Sequence, residues 1–275
     1  MLSSIFYFLI FGIGGIVLPF FPIWLLDTGL SVAQIGYVLG IGTMLKVVSN
    51  PATMMIVDVT GRLRAVALAL ILIVWVCYAG LIKVTSFSYI IALYFAISCF
   101  FAPLMPLADR YSVYVTEKTG SAFGSKRLWG TVGFLLTSLG GGLIFNMWGV
   151  RPLPIVMLVL FAIMGVVALN MPKSIRTIGE RSSLFDKTNP LIQVVSNSRL
   201  IGMITACALI QCSNAYLYSF SSVVWTEQYG FTAGVIALIW SVGLVAEIAM
   251  FTFADRLIHR FGIKTILLSA SVVTM

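Results

Sequence analysis

The chain has 275 residues, of which 60% are hydrophobic and 9% charged, with a mean hydropathy of +1.06. Soluble domains carry about 25% charged residues, so this composition excludes a water-soluble globular domain, a disordered chain, a collagen-like fibre and a disulfide scaffold. The formal charge of +8 does not make a nucleic-acid surface, because the 17 Lys and Arg sit in short gaps between apolar runs and form no basic face.

The runs are about 18–25 residues long, which is what a helix rising about 1.5 Å per residue needs to cross about 30 Å of hydrocarbon. In chain order they predict eight spans, roughly 5–26, 33–57, 65–82, 88–107, 127–147, 152–171, 200–224 and 232–254, with a ninth starting near Ile263 and cut at Met275. The first run lacks a basic leader, is longer than a signal peptide's apolar stretch and has no small-residue cleavage site before Asp27, so it reads as an uncleaved span. Fourteen Lys and Arg fall in even-numbered gaps and only Lys83 and Arg151 in odd-numbered ones, with Lys46 inside a span. Cytoplasmic loops retain positive charge, so a cytoplasmic N-terminus is expected. Cys77, Cys99, Cys207 and Cys212 lie in apolar runs without metal-ligand spacing and read as packing residues. His259 lies in a basic loop and reads as solvated. No phosphate-binding glycine loop, metal cluster, heme motif or nucleophile elbow appears, so no cofactor, metal or enzymatic activity is expected.

Laid against itself at an offset of 201, the chain pairs Trp24 with Trp225, Gly29 with Gly230, Ser31 with Thr232, Gly42 with Gly243 and Gly61 with Gly262. The same register sets Lys46, inside the second span, against Glu247, inside the eighth. Transporters are often built from related bundles that move against each other about a central site. The repeat predicts a six-helix N-terminal bundle over 1–171, a polar cytoplasmic linker over 172–199 and an incomplete second bundle over 200–275, with helices seven, eight and the start of nine. By the repeat the second bundle should continue about 97 residues beyond Met275, so the chain is expected to be truncated.

Six spans, a basic linker and six related spans describe the major facilitator superfamily. Asp58-Val59-Thr60-Gly61-Arg62-Leu63-Arg64 resembles its signature between helices two and three, G-x-x-x-D-R-x-G-R-R/K, departing at Met54 and Val59. A closer resemblance is to the phenylpropionic acid transporter family. It rests on Phe101-Ala102-Pro103-Leu104-Met105-Pro106-Leu107-Ala108-Asp109, on Arg127-Leu128-Trp129-Gly130-Thr131-Val132-Gly133-Phe134 and on Trp240-Ser241-Val242-Gly243-Leu244-Val245-Ala246-Glu247. Helix seven departs at Asn214, where the family pattern has His. The resemblance implies an all-α polytopic carrier of the inner membrane, working by alternating access and coupling a small aromatic or other organic acid to protons. A sugar or nucleoside proton symporter, or a remnant that does not transport, stays open beside it. The expected partners are a small-molecule substrate, protons and the bilayer, with no nucleic acid and a monomeric state.

Individual residues fit that reading. Lys46 sits about mid-membrane, where an ammonium costs roughly 2.5–3.5 kcal/mol on insertion scales, so it reads as an attractor for a carboxylate or as half of an ion pair. Glu247 reads as a proton carrier or as a static partner of a cation. Gln211, Asn214, Tyr216 and Tyr218 form a polar and aromatic strip in helix seven, suited either to an amphipathic acid or to helix packing. Asp58, Gly61, Arg62, Arg64, Asp109 and Arg127 read as a gating motif whose ion pairs form in one bundle orientation and break in the other, or else as positive-inside anchors and solvated helix ends. Trp24 and Trp225 read as interface anchors.

Overall fold

The computed structural model describes residues 2–83, 86–119, 123–173 and 197–262. Their regular elements are all helices: α1 Leu2–Asp27, α2 Val32–Thr60, α3 Leu63–Leu81, α4 Phe87–Phe101, α5 Leu104–Thr119, α6 Phe123–Trp148, α7 Leu153–Leu169, α8 Ser198–Ser213, α9 Ala215–Glu227 and α10 Ala233–Phe261. Among the described residues six runs are long and apolar enough to cross a membrane. Here α4 with α5 and α8 with α9 each make one run, and α7 and Ala233–Ala246 are shorter apolar helices. The fold is all-α, and its apolar segments coincide with the eight expected spans.

Three segments differ from the sequence expectation. The fourth span, expected to stop at 107, breaks at Ala102–Pro103 and continues as α5 to Thr119. Asp109 and Arg110 do not end it, because both find partners on other helices. The seventh span is interrupted at Asn214. There Ser213 Oγ and Asn214 Nδ2 donate to the Ile210 carbonyl at 2.7 and 3.3 Å, and such local bonds compete with the helical ladder. The eighth continues past 254 to Phe261. Most of the expected linker and all of the ninth span lie outside the described residues.

Contacts divide the chain into one unit of Met1–Ile175 with Ser219–Ile248 and another of Arg176–Tyr218 with Ala249–Met275. In the first, α1 is the most buried helix and packs most closely on α6. Glycine makes that approach possible, since a Cβ on Gly133 would lie 2.2 Å from the Phe8 carbonyl oxygen. Thr137 Oγ1 then reaches the Gly12 carbonyl at 2.7 Å. Helix α3 lies on α4 and α7, where Trp75 Nε1 donates to the Leu158 carbonyl at 3.1 Å. Helix α2 meets α4 where Gly42 faces Tyr94 and Ser98. Its far side exposes Tyr37, Met44, Val47 and Val48, as a lipid-facing surface would.

Local signals set the helix ends. Ser31 and Gln34 form a capping box at the start of α2, with Ser31 N to Gln34 Oε1 at 2.9 Å and Gln34 N to Ser31 Oγ at 3.3 Å. Gly61 closes α2 at φ 65°, a conformation that favours glycine. The offset of 201 carries over to the backbone: α2 and α10 are both 29 residues long with bounds 201 apart. The paired glycines 29 and 230, and 61 and 262, all have positive φ.

Candidate functional site

Along α2 the buried residues Ile35, Val38, Gly42, Thr53 and Val57 mark the face turned toward the bundle. Lys46 lies on that face one turn after Gly42, half-buried, near the middle of the helix. Among the described residues no carboxylate lies within ion-pair distance of its ammonium. One turn further, the Asn50 Oδ1 is buried with no hydrogen-bond partner among the described residues. A cation and an acceptor thus sit at i and i+4 on one inward face beside Pro51, which removes a ladder N–H. A buried amide oxygen without a donor is costly unless something supplies one. Glu247 occupies in α10 the position that Lys46 has in α2, and its side chain lies outside the described residues.

A second polar cluster joins α1, α5 and α6 within the first unit. The Tyr7 phenol, with 0% exposure, donates to Asp109 Oδ1 at 2.5 Å. Arg127, at the start of α6, lies within electrostatic reach of that phenol. Next to it Lys126 is only 5% exposed, and its ammonium donates to the Ser112 carbonyl at 3.2 Å and to Thr116 Oγ1 at 2.7 Å. Asp109, expected either in a gate ion pair or at a solvated helix end, accepts from the Tyr7 phenol. The sequence reading missed Tyr7 and Lys126. The signal for Tyr7 was a hydroxyl inside an apolar helix; for Lys126 there was none, since it reads as one more charge of a basic loop.

The expected gating motif separates into distinct contacts. Asp58, at the end of α2, pairs with Arg110 of α5. Arg64 Nη1 donates to the Leu169 carbonyl at the end of α7, at 2.9 Å. Gly61 turns the chain, and Arg62 precedes α3 with no side-chain cap. Among the described residues the motif therefore ties α2 to α5 and α3 to α7.

In the other unit, Gln211 is exposed and Asn214 half-buried at the helix break, and the Tyr218 N–H donates to the Asn214 carbonyl at 3.1 Å. Residues 219–248 pack in the first unit. Trp240 Nε1 donates to Ser222 Oγ at 3.3 Å, and its ring lies 6.4 Å from that of Phe134. Two close approaches flank this region: a Cβ on Gly142 of α6 would lie 2.5 Å from Ala237 Cβ, and one on Gly36 of α2 would lie 2.9 Å from Phe220 Cζ.

Residues 1–275 match the MFS_1 like family throughout. The chain belongs to this family, within the major facilitator superfamily. It is therefore a membrane transporter and not an enzyme. This facilitator is 28% identical over 281 residues to the "Probable 3-phenylpropionic acid transporter" of Escherichia coli strain K12, covering 97% of this chain and 69% of the relative. It is 24% identical over 277 residues to the maltose permease of Geobacillus stearothermophilus, covering 98% of this chain and 68% of the relative. Among solved structures, the nucleoside transporter NupG superposes with a TM-score of 0.76 at 18% identity, covering 96% of this chain and 68% of that one. The chain thus spans about two thirds of the length of each.

Proposed function

We propose that this facilitator is a proton-coupled symporter of a small organic acid of the phenylpropionate type, working by alternating access in the inner membrane as a monomer with its N-terminus cytoplasmic. The observation that carries the reading is Lys46, mid-helix on the inward face of α2 with no described anionic partner, one turn from the unpartnered Asn50 Oδ1. Lys46 would attract the carboxylate, which would offset the cost of an ammonium at that depth. Glu247, its counterpart in α10, would load and release the proton, and Gln211, Asn214 and Tyr218 would line the substrate path. The relative named for 3-phenylpropionic acid supports the substrate class. Residues 1–171 would form one bundle and 200–275 part of the other, joined by 172–199. The close packing of Gly36 on Phe220 and of Gly142 on Ala237 would close one side of the path.

A second reading, a sugar or nucleoside symporter, draws on the Tyr7–Asp109 pair, since a carboxylate suits substrate hydroxyls better than substrate carboxylates. Vesicles holding the protein, acid outside and alkaline inside, decide between them. On the first reading, labelled 3-phenylpropionate accumulates, a protonophore abolishes the gain, excess maltose or uridine does not compete, and Lys46→Gln lowers uptake at least about tenfold, as loss of a charge-assisted hydrogen bond would. Failure of every aromatic acid to enter or compete would sink it.

A further inference from the structure

At the end of the bundle where α1 and α3 finish and α7 begins, a cavity of about 430 Å³ lies between the three helix ends. Its walls include Trp24, Leu81 and Pro154, with Ile82 and Ile155 alongside and Asp27 and Arg151 as the charged lining. Trp24 is 4% exposed and stacks on Phe21 at 5.6 Å, so that wall is rigid. Ile82 and Ile155 are about half exposed, so the apolar wall continues onto the surface that faces hydrocarbon. These helix ends mark the boundary between lipid and water, where amphipathic rings and charges collect.

The charge geometry at the mouth is specific. Arg151 Nε donates to Asp27 Oδ2 at 3.2 Å, which leaves the edge of the guanidinium formed by Nη1 and Nη2 without a partner among the described residues. That edge is a fork of two parallel N–H donors, the shape that takes a phosphate bidentately. The other carboxylate oxygen of Asp27 faces no described donor either. The guanidinium, 85% exposed, and the half-exposed carboxylate therefore lie side by side at the mouth of an apolar slot.

We infer that this cavity holds the headgroup of a phospholipid carrying both charges, a phosphate on Arg151 and a primary ammonium on Asp27, with the first acyl carbons against Ile82 and Ile155. Neither charge alone explains the pair: an anionic lipid would leave Asp27 repelling it, and a quaternary ammonium cannot donate a hydrogen bond to the carboxylate. The volume falls in the range of about 300–1,000 Å³ usual for small-molecule sites. The inference rests on the membrane reading and is independent of the transported substrate.

The test is native mass spectrometry of the delipidated protein in detergent, titrated separately with phosphatidylethanolamine, phosphatidylglycerol, phosphatidylcholine and free O-phosphorylethanolamine. The ethanolamine lipid should bind at least about tenfold more tightly than the other lipids, the ratio that losing one charge-assisted hydrogen bond gives. Arg151→Gln and Asp27→Asn should each remove that preference. Ile155→Trp keeps both charges, fills the slot from a half-exposed position, and should remove it as well. Equal binding of the three lipids, or an unchanged preference in Ile155→Trp, would overturn the inference. Binding of free O-phosphorylethanolamine as tightly as the lipid would overturn it too, assigning the site to a soluble zwitterion.

Discussion

Replacing Gly133 by alanine tests the account of the central helix pair directly. The new Cβ would lie 2.2 Å from the Phe8 carbonyl oxygen, 2.8 Å from its carbon and 2.9 Å from its Cα. Ordinary C···O contacts between close helices are about 3.3–3.6 Å, so the α1 backbone must retreat by about 1 Å. Nothing flexible can yield instead, because the obstructing atoms are main chain. The retreat also stretches the 2.7 Å bond from Thr137 Oγ1 to the Gly12 carbonyl. Overpacking of this kind costs about 1–3 kcal/mol. Alanine's better helix propensity returns at most about 1 kcal/mol. The net expectation is a destabilisation of about 1–3 kcal/mol once the weakened hydrogen bond is included. Gly140→Ala supplies the control in the same helix, since its Cβ meets nothing within 4 Å and should be neutral or slightly stabilising. Reversible unfolding in mixed micelles, followed by helical circular dichroism, gives both values. Finding Gly133→Ala as stable as Gly140→Ala would refute the argument that glycine is required by the α1–α6 approach.

Three further outcomes are expected. Thr137→Val keeps the shape of the side chain and loses its donor, so it should destabilise by about 1 kcal/mol in the same assay; no change would mean the interhelical bond contributes nothing. A double-mutant cycle on Asp58→Asn and Arg110→Gln should give a coupling below about 1 kcal/mol that shrinks with added salt, because the Asp58 side chain is 62% exposed. A large coupling insensitive to salt would contradict that exposure. Lys126→Ala should destabilise by about 1–3 kcal/mol, since it strips two hydrogen bonds and a packed stem from a 5% exposed site, whereas the exposed Lys83→Ala should change stability by under about 0.5 kcal/mol. Equal values in thermal melts would show that Lys126 is not buried as described.

How legible the molecule was in its sequence depends on the kind of force involved. Hydropathy is a sum over many residues, so the positions of the spans and the all-α class could be read without coordinates. Charge was misleading wherever the bundle supplied a partner. Asp109 and Arg110 looked like the end of a helix, yet Tyr7 and Asp58 accommodate them and α5 continues to Thr119. Lys126 looked like part of a solvated loop, and carbonyl and hydroxyl oxygens of α5 enclose it. Each partner lies on another helix, which periodicity along one helix cannot reveal. The interruption at Asn214 was missed for the opposite reason: it is a local competition for the Ile210 carbonyl, decided by side-chain rotamers. For the proposed site, the depth of Lys46 could be read from its run, but its inward direction and the neighbouring Asn50 acceptor needed the burial pattern of α2.

The equal lengths of α2 and α10 constrain how the two could have diverged. One inserted or deleted residue in either would rotate everything after it by about 100° and carry the closing glycine out of its left-handed position. Both helices keep 29 residues and both closing glycines keep positive φ, so their differences are confined to side chains on a conserved frame. At the fifteenth position of that frame one copy carries an ammonium and the other a carboxylate. The two helices thus share one metre and carry opposite charges at the same beat.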